Sequence, residues 1–281
     1  MFAQLTSAWL CLLDPSSGLV NATAFLAIWV MLWLPIAIPR SLAIKWYPPH
    51  PLPPQEKLSL LAPLYLLVPL ILWGMTRLEN RPISDYGIGL EPDIFLSLVK
   101  GILLSIFTLL VGYGLQILGG ALQWQHFNLQ SSLPILVLST LALSLWISGT
   151  EEAVFRGVLL TELAGEFSLI GAAIASSLIF ALCHLIWDVS GTWKQLPGLM
   201  VMGLILAAAC GVDGGKIGLA WGLHAGWIWG LITLESVPIL AIKPDSNIPE
   251  WITGLDGQPL SGLVGFAILA LAGALAYLLF V

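Results

Sequence analysis

The chain has 281 residues, of which 58% are hydrophobic and 9% charged, with a net charge of −6 and a mean hydropathy of +0.94. A water-soluble domain carries about a quarter of its residues as Asp, Glu, Lys and Arg, so lipid must replace water over most of this surface and an integral, multi-pass membrane protein is expected. The acidic balance, with no basic run to neutralise phosphates, excludes a nucleic-acid partner, and the three scattered cysteines, Cys11, Cys183 and Cys210, form no CxxC pair and read as small apolar fillers.

Residues 2–13 lack a basic flank, and Asp14-Pro15 interrupts their apolar run. They read as a short interfacial or buried helix, not a cleaved signal. The first span is predicted over about Leu19 to Ile38, ended by Pro39-Arg40. The segment from Arg40 to Lys57 holds Pro48, Pro49, Pro51, Pro53 and Pro54 and is expected to lie outside the hydrocarbon without forming a helix. Span two, about Leu58 to Met75, contains Pro63 and Pro69, tolerable where neighbours satisfy the freed carbonyls. A polar loop from Thr76 to Asp93 leads to span three, about Phe95 to Leu118. A linker free of Lys and Arg follows, and span four runs from Pro134 without a breaker through Glu151-Glu152 to about Leu163. Spans five to seven cover about Leu169–Trp187, Leu196–Cys210 and Ile217–Leu234. A polar, Pro-containing loop then precedes span eight, about Leu260 to Phe280. With the N-terminus outside, inner loops hold Arg40, Lys45, Lys57, Lys194 and Lys243 against Arg77, Arg81 and Lys216 outside, the orientation favoured by the positive-inside rule. Trp46, Trp193 and Trp251 lie near span ends, as interfacial anchors do.

Ionisable groups at membrane depth are expensive and mark function when partners can be named. Three clusters qualify. In Glu151-Glu152-Ala-Val-Phe-Arg156, Glu152 and Arg156 are i and i+4 and can pair on one face, while Glu151 points about 100° away toward another helix. Phe180 and His184 share a face near the end of span five, and Asp188, one turn further, could hold the second ring nitrogen of His184 or simply mark the water boundary. His224 sits mid-span among Gly222, Ala225 and Gly226, small residues that let helices approach closely. Taken singly, a helix end in the headgroup region and two hydrogen-bonded packing histidines explain these clusters. Together, one carboxylate and two imidazoles on successive spans suit a divalent metal such as zinc, or a water activated directly by the carboxylate. From the residues alone the reading is a buried hydrolytic or proton-handling site.

The first cluster resembles the EExxxR motif of the CAAX-protease and bacteriocin-processing family of intramembrane proteases, related to the type II CAAX prenyl endopeptidase. Phe180 to His184 is similar to its FxxxH motif, and His224 to the histidine opening its HxxxN or HxxxD motif. The third motif departs at its last position, where Ile228 stands for Asn or Asp. The resemblance implies that Glu151 is the catalytic glutamate and that His184 helps position water. It implies that His224 supplies a metal ligand or an oxyanion donor, and that Glu152 and Arg156 orient the helix. A divalent ion, if used, would be held by Glu151, His184 and His224. Prenylated substrates are not implied.

The expected architecture is an all-α, polytopic bundle of about eight spans enclosing a polar intramembrane cavity near one membrane face. Its expected parts are N-terminal helices over 1–133, a motif-bearing core over 134–235, and a polar loop with a final span over 236–281. The expected activity is endopeptidase cleavage of a membrane-associated polypeptide, with membrane lipid and a peptide or protein substrate as partners. Two alternatives stand beside it: a degenerate relative kept as a binding scaffold, which Ile228 would explain, and a proton- or ion-coupled transporter. A transporter is more often built on paired repeats with broken helices, which the sequence does not display.

Overall fold

The computed structural model describes residues 17–125, 133–237, 240–242 and 247–281. The segment 2–13, with Cys11, and the loop residue His126 lie outside this set. Eight long helices are found among the described residues. They are α1 (Gly18–Ala43), α2 (Pro54–Leu78), α3 (Pro92–Leu118) and α4, which runs from Leu133 to Ala164 through a change of pitch; then α5 (Leu169–Cys183), α6 (Leu196–Val212), α7 (Gly218–Ser236) and α8 (Leu263–Phe280). Two short strands, β1 (Leu122–Trp124) and β2 (Leu240–Ile242), pair antiparallel with Leu122 opposite Ile242 and tie the α3–α4 connection to the α7–α8 connection. The fold is all-α, and the chain is an integral, multi-pass membrane protein.

Seven helical stretches among the described residues are long and apolar enough to cross a membrane, one fewer than the eight spans expected. The missing one is α7, and its sequence explains why. It carries His224 and the three tryptophans Trp221, Trp227 and Trp229, with glycine at every fourth position from Gly218 to Gly230. Such a helix does not need to face lipid, because its neighbours do. Residues 218–220 and 222–227 are buried, and α7 packs most extensively on α3 and then α4. The packing is backbone against backbone. A Cβ on Gly218 would lie 2.5 Å from the Ile94 carbonyl, and one on Gly101 would lie 2.7 Å from the Leu223 amide. A Cβ on Gly222 would strike the Leu98 carbonyl. Small residues at these positions bring α7 within reach of α3.

Proline behaves differently from the sequence expectation at two points. Helix α1 continues through Pro35 and Pro39 to Ala43, and α2 begins at Pro54, inside the segment expected to be non-helical. Proline at a first helical position forfeits an N–H that had no intrahelical partner anyway, and its φ is already helical. A proline near a helix end removes one N–H from the ladder and frees one carbonyl, which does not by itself end a membrane helix. The α1–α2 pair is further joined by indole donors: Trp29 Nε1 donates to the Leu64 carbonyl at 2.7 Å and Trp33 Nε1 to the Leu60 carbonyl at 2.9 Å. A buried indole N–H requires such an acceptor.

The change of pitch in α4 lies where the chemistry is. Regular α-helix ends at Glu152, residues Ala153–Leu159 form a π-helical segment, and α-helix resumes over Leu160–Ala164. Every residue from Glu151 to Leu160 is buried. Wide turns of this kind recur at functional sites because they loosen the i→i−4 ladder and re-aim side chains. Here the Ser176 hydroxyl on α5 donates to the Phe155 carbonyl at 2.6 Å.

Candidate active site

The two glutamates that close the α-helical part of α4 diverge, as their spacing requires. Glu152 is completely buried, and its Oε1 accepts from Arg156 Nη1 at 3.1 Å and from His224 Nδ1 at 2.7 Å. Arg156 is held on its other side: Nη2 donates to the Gly203 carbonyl on α6 at 3.1 Å, and the guanidinium lies 4.6 Å from the centroid of the Phe180 ring. Glu152 therefore links α4 to α7, a connection the i,i+4 pairing alone does not reveal. Its effect on His224 is specific, because a carboxylate at Nδ1 fixes the ring orientation and leaves Nε2 for the other side.

That other side belongs to Glu151. Its Oε2 lies 3.7 Å from His224 Nε2, an ion-pair distance and not a hydrogen bond. Its Oε1 accepts a hydrogen bond from the Tyr65 hydroxyl of α2. Oε2 itself is buried and has no hydrogen-bond partner among the described residues.

His184 stands in the single 3₁₀ turn that ends α5, half-buried, and its Nδ1 contacts the Phe180 carbonyl at 2.8 Å. A carbonyl only accepts, so Nδ1 carries the hydrogen and the neutral ring presents a lone pair at Nε2. Phe180 is the aromatic hub of the site: its buried ring meets Phe155, His184 and His224 edge-on, with centroids 5.2, 4.8 and 5.8 Å away.

Glu151, His184 and His224 thus line one cavity of about 730 Å³. Its walls are contributed by α1 to α8 and are largely apolar, so the polar groups form one patch in a greasy chamber and not a polar cavity throughout. Lys57, over the Trp187 ring at 5.6 Å, is the one Lys or Arg lining it among the described residues. Ile228 also lines it. Asp188 does not. Its carboxylate caps the short helix Val189–Thr192, accepting from Ser190 Oγ at 2.7 Å and Gly191 N at 3.1 Å. These two donors hold the Asp188 carboxyl below the usual carboxylate range, the Ser190 hydroxyl first. Asp188 is accordingly corrected from a support for His184 to a helix cap, because local donors two and three residues away outcompete a ring on the preceding turn.

A divalent ion was expected at Glu151, His184 and His224. One carboxylate and two imidazoles have suitable donor chemistry. Among the described residues, however, no group of three His, Cys, Asp or Glu side chains is arranged to hold a metal ion. Glu151 Oε2 and the Nε2 atoms of both rings remain available, so the donor chemistry suits an ion, while the side chains as placed are not gathered into a site for one.

Residues 133–230 match a family model described as type II CAAX prenyl endopeptidase, Rce1-like. Over this block the chain is similar to the CAAX-protease family. The block spans about a third of the chain and contains all three motif segments, from Glu151 to His224. No curated protein and no solved structure matches the chain. Tyr65, which touches Glu151, lies outside the block, in a span that carries no motif.

Proposed function

We propose that the protein is an intramembrane endopeptidase that hydrolyses a peptide bond of a membrane-associated polypeptide with a water activated by Glu151. The observation that carries this reading is Glu151 Oε2, a buried carboxylate oxygen without a hydrogen-bond partner among the described residues, on the wall of a cavity shared with His184 and His224. A stranded buried acceptor costs about 1–3 kcal/mol, and an enzyme recovers that cost when substrate water fills the place.

In this reading Oε2 accepts one hydrogen of the water, and the free Nε2 of His184 accepts the other. Glu151 takes the proton as the water oxygen attacks the peptide carbonyl carbon. The carbonyl oxygen becomes an oxyanion, and His224, oriented by Glu152 at its Nδ1, donates a hydrogen bond to it from Nε2. Collapse of the tetrahedral intermediate expels the amine, which takes the proton from Glu151. Arg156 acts at one remove: it holds Glu152, which holds His224. The apolar walls exclude bulk water, which strengthens each of these interactions, and accept an extended apolar segment of substrate.

The test is cleavage of membrane-embedded reporter peptides by the protein reconstituted in lipid vesicles. Glu151→Gln should lower kcat by roughly 10²–10⁴, the range for removing a general base, while the fold persists. Wild-type-like cleavage by Glu151→Gln, or no cleavage by the wild type over a broad peptide library, would sink the proposal.

A further inference from the structure

The CAAX-protease pattern places a polar Asn or Asp where this chain has Ile228, and Ile228 lines the cavity without a hydrogen-bonding side chain. Asp188, the polar residue nearest in sequence to His184, is spent on its own helix cap. The polar side chain that does enter the site comes from outside the matched block. Tyr65 on α2 is buried, lines the same cavity, and donates its hydroxyl to Glu151 Oε1.

Packing alone does not account for that hydroxyl. The Tyr65 ring sits edge-on to Trp146 at 5.9 Å, a contact phenylalanine would make equally well. A buried phenol is retained where its O–H has a partner, and here the partner is the acid whose other oxygen is free. Other polar side chains along the cavity, Gln55, Tyr113, Gln116 and Thr253, make no hydrogen bond to Glu151, His184 or His224 among the described residues. With Oε1 pinned by Tyr65, Oε2 is turned to the interior and to His224 Nε2.

We infer that Tyr65 is a positioning residue for Glu151, supplying from α2 the hydrogen-bonding side chain that Ile228 does not supply from α7. This inference rests on the protease reading above. It assigns the site to two parts of the chain, with the acid and imidazoles from the CAAX-protease block and the donor that orients the acid from the N-terminal helices.

The experiment uses the full-length protein in vesicles as wild type, Tyr65→Phe, Ile228→Asn and the double variant, with Glu151→Gln as reference. A hydrogen bond to a charged group is worth about 10- to 100-fold in rate when its geometry matters. Tyr65→Phe should therefore lose about that much kcat with KM within about twofold. Ile228→Asn should restore most of the loss in the Tyr65→Phe background, a rescue that a packing role would not produce. A Tyr65→Phe protein with wild-type kcat, beside an inactive Glu151→Gln, overturns the inference and leaves the protease reading intact. Equal losses with and without Ile228→Asn overturn the substitution of one donor for the other. Independently of turnover, the ¹³C-edited infrared carboxylate band of Glu151 should shift in Tyr65→Phe; an unchanged band overturns the hydrogen bond itself.

Discussion

Helix α4 places a buried glutamate on either side of its π-helical segment, each paired with an arginine, and the two clusters are built to opposite standards. Beyond the segment, Glu162 is fully partnered. Its Oε1 accepts from Arg81 Nη1 at 2.6 Å and lies 3.1 Å from the Tyr86 hydroxyl, and its Oε2 accepts from Asn21 Nδ2 at 3.1 Å. The Tyr86 hydroxyl is shared with Glu79, 2.8 Å away, and burial pushes this phenol well above its ordinary range. Before the segment, the Glu151–Glu152–Arg156–His224 cluster leaves Glu151 Oε2, Glu152 Oε2 and Arg156 Nε unpartnered among the described residues. It also sets two carboxylates against one guanidinium. A satisfied network fastens three elements, the start of α1, the α2–α3 loop and the end of α4. An unsatisfied one, more deeply buried, keeps bonding capacity in reserve, and that capacity is what water and substrate would use.

The largest expected effect separates the two ends by activity. Glu151→Gln should cost the roughly 10²–10⁴ in kcat given above with little change in melting temperature. Glu162→Gln should do the reverse, lowering the melting temperature and leaving kcat within about a factor of two. A matching activity loss at Glu162 would erase the contrast. Next comes Arg156→Ala, which strands Glu152 in the core. Breaking such a buried pair costs roughly 3–5 kcal/mol, readable as a steep loss of folded protein in detergent thermal scans; unchanged stability would show that Glu152 is held by His224 alone. Tyr86→Phe removes one hydroxyl from the saturated cluster and should cost roughly 1–3 kcal/mol with kcat unaltered.

The smallest effect concerns the helix cap beside the cavity mouth. The folded Asp188 carboxyl is held below its unfolded value, so its contribution is present above about pH 3.9 and fades as pH falls through the lower folded value. Asp188→Ala should cost about 1 kcal/mol or less near neutrality and flatten the acid limb of the stability curve. A loss of activity larger than the loss of stability would return Asp188 to the site.

Much of this architecture is legible in the residues because lipid enforces simple rules. Apolar runs of span length became helices, and the i,i+4 spacing of Glu152 and Arg156 became an ion pair. What the sequence did not disclose depends on three-dimensional company. Tyr65 is an ordinary aromatic in an apolar span until α2 lies against α4, and no motif spacing links positions so far apart. The Glu152–His224 bond likewise exists only because glycines on α7 let it sink toward α3 and α4. Asp188 was misplaced because a carboxylate one turn from a histidine looks the same on paper whether it caps a helix or holds a ring. Pro39 reads as a stop because proline usually breaks a helix, yet one lost ladder bond does not end α1, which runs on to Ala43.

Helix α7 has a consequence for how the molecule is made. A segment with a histidine at its centre and glycine every fourth residue gains little by leaving the translocation channel for bare lipid. It is retained by a groove already waiting on α3, whose Gly101 and Ser105 receive its glycines. Since α3 is synthesised more than 100 residues before α7, the receiving surface is in the bilayer first. The Glu151–Glu152–Arg156 cluster then gains His224 only when that late helix docks, so a half-inserted chain carries the glutamates and the arginine without the histidine that Glu152 holds.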